Sequence, residues 1–255
     1  MLKITDVRRI KVLRNKILSR IKAYFELRKT FGRFKELSKK AGKRFSVSWD
    51  DIFFFANDNT TNTGFDAHYV YHPAWAARIL TKTNPEFHID ISSTLHFSSI
   101  VSAFIPVHFY DYRPAKLDLS NLTSKRANLL SLPFEDRSIK SISCMHTVEH
   151  IGLGRYGDEL DPDGDLKAIS ELKRVVAKNG DLLFVVPVGK SKLLFNAHRI
   201  YSYAQILEYF GGNFELMDFF LIPDNAVTHG VIYNATEKDA DAQNYGCGCF
   251  WFRKK

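Results

Sequence analysis

Residues 182–187, LLFVVP, form an unbroken apolar run. A half-exposed strand alternates apolar and polar residues, so a run apolar throughout predicts a central strand of a parallel sheet, covered on both faces. Just before it, residues 166–177 (LKAISELKRVVA) place Leu166, Ile169, Leu172, Val175 and Val176 at helical spacing, and Asn179-Gly180 is expected to end that helix. A helix feeding directly into a buried strand is the repeating unit of an α/β fold.

The same alternation runs back through residue 85. Residues 87–91 (FHIDI) predict a first strand, followed by enough chain for a loop and a helix. Residues 107–110 (VHFY) predict a second strand ending on Asp111, and residues 139–145 (IKSISCM) another. Residues 201–210 predict a helix, and residues 214–222 and 248–253 two late strands. Ahead of the core, the stretch from Phe65 (FDAHYVYHPAWAARIL) can form a short helix with Pro73 tolerated in its first turn.

Charge divides the chain. Residues 1–44 hold sixteen Lys and Arg against Asp6, Glu26 and Glu36, a net of +13; the whole chain is +8, so the remainder carries −5. Val7, Ile10, Leu13, Ile17, Ile21 and Tyr24 recur at steps of three and four, predicting a basic amphipathic helix, with a second segment through Phe31, Phe34 and Leu37 interrupted at Gly32. Such a head can bind an anionic membrane surface, an acidic polymer or a partner helix, or pack as a solvated helix on its own domain or on a second copy. An acidic remainder argues against a general nucleic-acid binder. Residues 45–64, with FFF at 53–55 and then NDNTTNTG, read as a loop closing an N-terminal extension of residues 1–64, followed by an α/β domain over residues 65–255. The opening MLKITDVRRIKVLRNK has no apolar block before a small-residue cleavage site, no run of about 18 apolar residues occurs, and three cysteines make no disulfide framework; a cytoplasmic protein, with a peripheral place on the inner membrane face open to it, is expected.

Ligands of doubly wound sheets bind beyond the carboxyl ends of the strands, where strand order reverses. Four segments end there with polar groups. The first strand runs into Asp90-Ile91-Ser92-Ser93-Thr94. The second ends on Asp111, 21 positions after Asp90, the spacing of an acid that accepts from ribose hydroxyls. Asn128-Leu129 follows, where an amide can pair with an adenine edge, and Met145-His146 closes the set.

NLLSLPFEDRSIKSISCMHTVEHI, followed by ELKRVVAKNGDLLFVVP, resembles the second half of class I S-adenosylmethionine-dependent methyltransferases of the broad type-11 sort. SCMHTVEHIGLGRYGDELDPDGD with FNAHRIYS more closely resembles an uncharacterised methyltransferase-like family described only as a domain of unknown function, whose members often sit beside surface-glycan biosynthesis functions. The resemblance covers about residues 85–222. It implies a Rossmann-like, doubly wound, mostly parallel seven-stranded sheet with an antiparallel last strand, and S-adenosylmethionine as cofactor on Asp90, Ser92, Ser93, Thr94, Asp111, Asn128, Leu129 and His146. It also implies a small-molecule or glycan hydroxyl as acceptor. One departure stands out: the family's glycine-rich first loop is here Asp90, Ser92 and Thr94, with no glycine from that loop until Gly152.

Methyl transfer from a sulfonium needs in-line approach and, for a hydroxyl acceptor, a base. His146 and His150 are the candidate bases, with Glu149 orienting one of them; fixing a loop is the bland alternative. Tyr156, Asp158, Asn196, His198 and Arg199 are candidate acceptor contacts, a surface ion pair being the other reading of Arg199. In the run Asp161-Pro-Asp163-Gly-Asp165, Asp165 is expected to cap the next helix. Two further readings remain: a binding or scaffold protein that kept the sheet and lost the cofactor, and, more remotely, a zinc hydrolase through His146-Thr-Val-Glu149-His150 as H-x-x-E-H. Cys247-Gly-Cys249 is no metal site on its own, and as alternate residues of a strand the two point into the core. No metal ligand set is expected.

Overall fold

The computed structural model describes residues 4–42, 44–55 and 58–255, with side chains from residue 11 onward. The chain forms two compact units, residues 1–64 and 65–255.

In the first unit, α1 (Ile4–Lys40) is one continuous helix. The expected interruption at Gly32 does not occur. A mid-helix glycine costs about 1 kcal/mol, too little to break 37 residues of mostly good helix formers. Val7 and Ile10 of the proposed stripe lie outside the described side chains, while Leu13, Ile17, Ile21 and Tyr24 are exposed. Residues 45–55 fold back onto the helix. Ser48 caps a 3-10 turn at Trp49–Asp51, and Trp49 sets its edge against Phe31 at 5.0 Å with the Arg28 guanidinium over its ring.

The second unit opens with α2 (Ala67–Thr83), N-capped by Asp66. Pro73 sits inside this helix, past the first turn where it was expected; the ring removes one backbone donor, and the helix continues to Thr83. The sheet strands are β1 (His88–Ile91), β2 (Val107–Asp111), β3 (Leu122–Arg126), β4 (Ile139–Met145) and β5 (Val176–Val188). After a small hairpin of β6 (Lys192–Leu194) and β7 (His198–Ile200) come β8 (Phe214–Ile222) and β9 (Gly246–Lys254). Their order is β3-β2-β1-β4-β5-β9-β8. The pairs from β3 through β5 are parallel, and β9 runs antiparallel to both of its neighbours. The seven-stranded sheet with an antiparallel final strand is therefore as expected. Strand order reverses between β1 and β4, which opens a crevice above their carboxyl ends.

The run LLFVVP occupies β5, next to β4 and β9, and every residue in it is buried. Leu182, Phe184 and Val186 join the core under α4 (Gly164–Val175) and α5 (Tyr203–Phe210). Leu183 and Val185 join the opposite core, with Trp75 and Ile79 of α2 and Phe97 and Val101 of α3 (Leu95–Val101). Each such side chain contributes roughly 1.5–3 kcal/mol by leaving water. Two short helices, α6 (Ala226–His229) and α7 (Glu237–Asp241), complete the unit.

Asn179-Gly180 does not end α4. The helix stops at Val175, and Val176 already pairs with Ile139. Asn179, at φ 60°, then turns the chain so that Asp181 meets Ser141. The signal marks an irregularity inside the strand, and tertiary pairing takes the residues that a free helix end would have used.

Candidate functional site

The loop after β1 faces two ways. Asp90 is fully buried and accepts from Ser143 Oγ at 2.6 Å and from Ser98 Oγ. Burial raises its pKa to about 6 against the lowering effect of these hydroxyls. Ser93 Oγ accepts from Met145 N, and Thr94 caps α3 through Phe97 N. Only Ser92 reaches the crevice. Its φ of 54° is a left-handed conformation that glycine would adopt without strain, and its carbonyl accepts from Thr147 Oγ1, tying the first loop to the end of β4.

The crevice has a volume of about 390 Å³ and is lined by Ser92, Asp111, Asn128, Leu129, His146, Thr147, His150, Tyr156 and Asp158. Of the eight cofactor positions expected from sequence, five therefore line one cavity, while Asp90, Ser93 and Thr94 support it from within. Asp111 Oδ1 accepts from Arg113 N at 2.6 Å, leaving Oδ2 for a ligand. Asn128 Oδ1 accepts from Leu130 N, leaving its amide NH2 as a donor. Tyr156 lies at the rim, with the guanidinium groups of Arg113 and Arg155 4.9 and 5.2 Å from its ring centre.

His146-Thr-Val-Glu149-His150 leaves β4 as a left-handed turn at His146 (φ 54°) and a 3-10 turn at Val148–His150. Without an α-helix, the two histidines cannot share a helical face as H-x-x-E-H zinc hydrolases require. Instead both address one carboxylate: Glu149 Oε1 is 3.0 Å from His146 Nδ1 and 3.8 Å from His150 Nε2. Burial disfavours a charge on His146, but contact with the Cys247 sulfur and the Glu149 carboxylate outweighs it and lifts its pKa to about 10. Burial pushes the Cys247 thiol well up, against the lowering effect of the neighbouring His146. His150 Nδ1 lies 2.6 Å from the Ala197 carbonyl and must carry the hydrogen there, which leaves Nε2 as the basic nitrogen.

Arg199 is buried, not part of a surface ion pair. It donates to the carbonyls of Ile151 (2.7 Å) and Pro162 (3.0 Å) and pairs with Asp165 at 3.4 Å. Asp165 also accepts from Tyr201 Oη and does not cap α4, whose N-cap residue is Asp163. Asp158 accepts from the amides of Gly152, Gly154 and Tyr156; burial opposes its charge, yet these donors lower its pKa. A side chain at Gly152, at φ 78°, would collide with Asp161 O. Residues 151–163 thus form a loop pinned from beneath, with Tyr156 and Glu159 left to face the crevice. Asn196 lies in the hairpin turn at φ 57°, away from this cavity. His198 stacks at a tilt on Tyr245 at 4.9 Å, and burial lowers its pKa.

Sequence reasoning missed a second layer. His68 and Tyr69 of α2 stack on His146 at 5.5 and 5.4 Å, Tyr245 stacks on His68, and Cys247 Sγ lies 3.3 Å from His146 Nε2. The only available sign was a histidine pair four apart, His68 and His72, in a segment that reads as plain helix.

Residues 134–241 match the family model described as "Caenorhabditis protein of unknown function, DUF268". A curated relative, an uncharacterized protein of Methanocaldococcus jannaschii, is 28% identical over 130 residues, 46% of this chain; the chain spans about half the length of that relative (50%). Among solved structures, a TehB-like S-adenosylmethionine-dependent methyltransferase of Corynebacterium glutamicum aligns over 73% of this chain and 89% of its own, at 15% identity and TM-score 0.46. The 1,6-didemethyltoxoflavin-N1-methyltransferase of Burkholderia thailandensis, solved with bound 1,6-didemethyltoxoflavin and S-adenosylhomocysteine, aligns over 91% of this chain and 90% of its own, at 11% identity and TM-score 0.50. Identity this low speaks to fold alone, and it agrees with the strand order: the chain has the Rossmann-like fold of the class I S-adenosylmethionine-dependent methyltransferases.

Proposed function

We propose that residues 65–255 transfer a methyl group from S-adenosylmethionine to a hydroxyl acceptor, a small molecule or saccharide, with surface-glycan intermediates as the leading class. The observation that carries this reading is Asp111, at the end of β2, which lines one cavity with Ser92, Asn128 and His146. The residues fit the cofactor. Asp111 Oδ2 can accept from a ribose hydroxyl, the Asn128 amide can donate to an adenine ring nitrogen, and Leu129 offers an apolar wall. A serine in the left-handed turn keeps the backbone close where the fold uses glycine. Once bound, the sulfonium supplies an activated methyl group. His150 Nε2 then takes the hydroxyl proton, and the resulting imidazolium faces Glu149. The scaffold alternative expects the first-loop side chains to fill the cavity, whereas Ser93 and Thr94 spend theirs on Met145 and Phe97.

Calorimetric titration of the folded protein with S-adenosylmethionine and S-adenosylhomocysteine tests the reading: heat with either ligand supports it, and none with both sinks it. For residues 1–44, an anionic membrane surface is the partner best suited to sixteen basic residues around the exposed Leu13, Ile17, Ile21 and Phe25. Flotation with anionic liposomes should be lost when they are deleted. No helix among the described residues is long and apolar enough to cross a membrane.

A further inference from the structure

Three elements converge beside the crevice: the start of α2, the end of β4 and the start of β9. They bring His68, His146 and Cys247 together so that one ligand atom from each lies within 4.8 Å of the others. We propose that these three residues bind a zinc-class divalent cation.

The spacing suits such an ion. Zinc holds imidazole nitrogen at about 2.0 Å and thiolate sulfur at about 2.3 Å, so at the tetrahedral angle the two donors stand roughly 3.5 Å apart. His146 Nε2 and Cys247 Sγ are 3.3 Å apart. Small outward shifts admit the ion. The donor chemistry suits it too, since imidazole with thiolate favours zinc, cobalt or copper over magnesium or calcium.

The surroundings give independent support. Glu149 Oε1 lies 3.0 Å from His146 Nδ1, the carboxylate–histidine arrangement that fixes a metal ligand's tautomer and turns the other nitrogen's lone pair toward the ion. Glu149 Oε2 is buried without a hydrogen-bond partner among the described residues, a polar atom that its protein surroundings leave unsatisfied beside the three ligands. His72 adds to this. Its Nδ1 is 2.6 Å from the His68 carbonyl and so carries the hydrogen, while Nε2 is buried without a partner among the described residues, and its ring centre is 5.1 Å from that of His146. Binding displaces two protons to solvent, one from the Cys247 thiol and one from His146 Nε2.

Three protein ligands leave a fourth position for water or a hydroxyl oxygen, the pattern of a catalytic rather than a structural zinc. An acceptor hydroxyl in that position would lose its proton more readily. That last step rests on the methyl-transfer reading; the metal site does not.

The test uses the full chain, purified under reducing conditions, stripped with chelator and titrated with cobalt(II) or zinc(II) alone. The wild type should retain about one equivalent of zinc after dialysis, and cobalt should give a thiolate-to-metal charge-transfer band with tetrahedral visible bands. Cys247→Ser should abolish the charge-transfer band, and Cys144→Ser should keep it. His68→Ala should weaken binding at least tenfold, and Glu149→Gln by about 10–100-fold. A folded wild type that takes up neither metal overturns the proposal, as does a charge-transfer band that survives Cys247→Ser. Should that variant fail to fold, unchanged affinity in His68→Ala overturns it equally.

Discussion

Ser143 Oγ donates to Asp90 Oδ1 at 2.6 Å, and this bond holds the acid of the first strand inside the sheet rather than at its open edge. The same hydroxyl lies 2.9 Å from His88 Nε2, and His88 Nδ1 meets Ser141 Oγ, so a polar chain crosses the sheet interior between β1 and β4. Burial drives the two titratable members toward neutrality, His88 down to about 3 and Asp90 up to about 6.

A pH dependence follows for Asp90. Between about pH 4 and pH 6 the folded protein keeps a proton that the unfolded chain has released. Its contribution is therefore fully present below the unfolded value and lost as pH rises through the folded one. Asp90→Asn removes this titration. Across that window, urea unfolding should show wild-type stability falling relative to the variant by on the order of 3 kcal/mol. A difference that stays constant with pH would mean that Asp90 ionises as readily in the fold as outside it.

Ser92 occupies a left-handed turn at the crevice wall. Ser92→Gly should keep or raise stability by up to about 1 kcal/mol, because glycine enters this region without steric cost, and should leave S-adenosylhomocysteine affinity within a few-fold. Ser92→Val should lower both, since a β-branched residue is strained at this φ and intrudes on the cavity. Thermal melts and calorimetry on the two variants read the contrast. Equal behaviour of the two would show that this turn does not govern the site.

Arg199 and Asp165 form a buried pair that also holds the carbonyls of Ile151 and Pro162. Removing one partner strands the other's charge, a loss of about 3–5 kcal/mol. Arg199→Met and Asp165→Asn should each destabilise, and the double variant should lose less than the sum of the two. Additive losses in chemical denaturation would mean that the two side chains act independently.

How far the sequence revealed this arrangement depended on which physical signal each part leaves. The central strand was legible because burial on both faces forces a continuous apolar run, and Asp111 because its spacing from Asp90 reflects one strand–helix–strand unit. β3 (LTSKR) left no such mark: it is an edge strand with a single buried residue, Leu122. Asn179-Gly180 misled because a left-handed asparagine and a glycine suit a bulged strand entry as well as a helix end. The layer of His68, Tyr245 and Cys247 was invisible for a different reason: its members lie up to 179 positions apart and meet only once the sheet has formed. Arg199 and Asp165 look like surface charges in sequence, and only the packing of residues 151–163 over them makes them internal.

Asp111 and His150 line the same cavity and should separate under mutation, because they meet different parts of a reaction. Asp111 has one carboxylate oxygen committed to Arg113 N and the other open. A hydrogen bond to a charged acceptor contributes about 1.5–3 kcal/mol, so Asp111→Ala should weaken S-adenosylmethionine and S-adenosylhomocysteine alike by roughly 10–100-fold. The equal effect follows because the ribose is common to both. His150 is anchored by the Ala197 carbonyl and presents Nε2 beside Glu149. His150→Gln should leave calorimetric affinity for both ligands within a few-fold, yet slow transfer of a labelled methyl group to a hydroxyl acceptor by about 10²–10⁴-fold. Loss of affinity in His150→Gln with turnover otherwise intact would reassign it from base to cofactor contact.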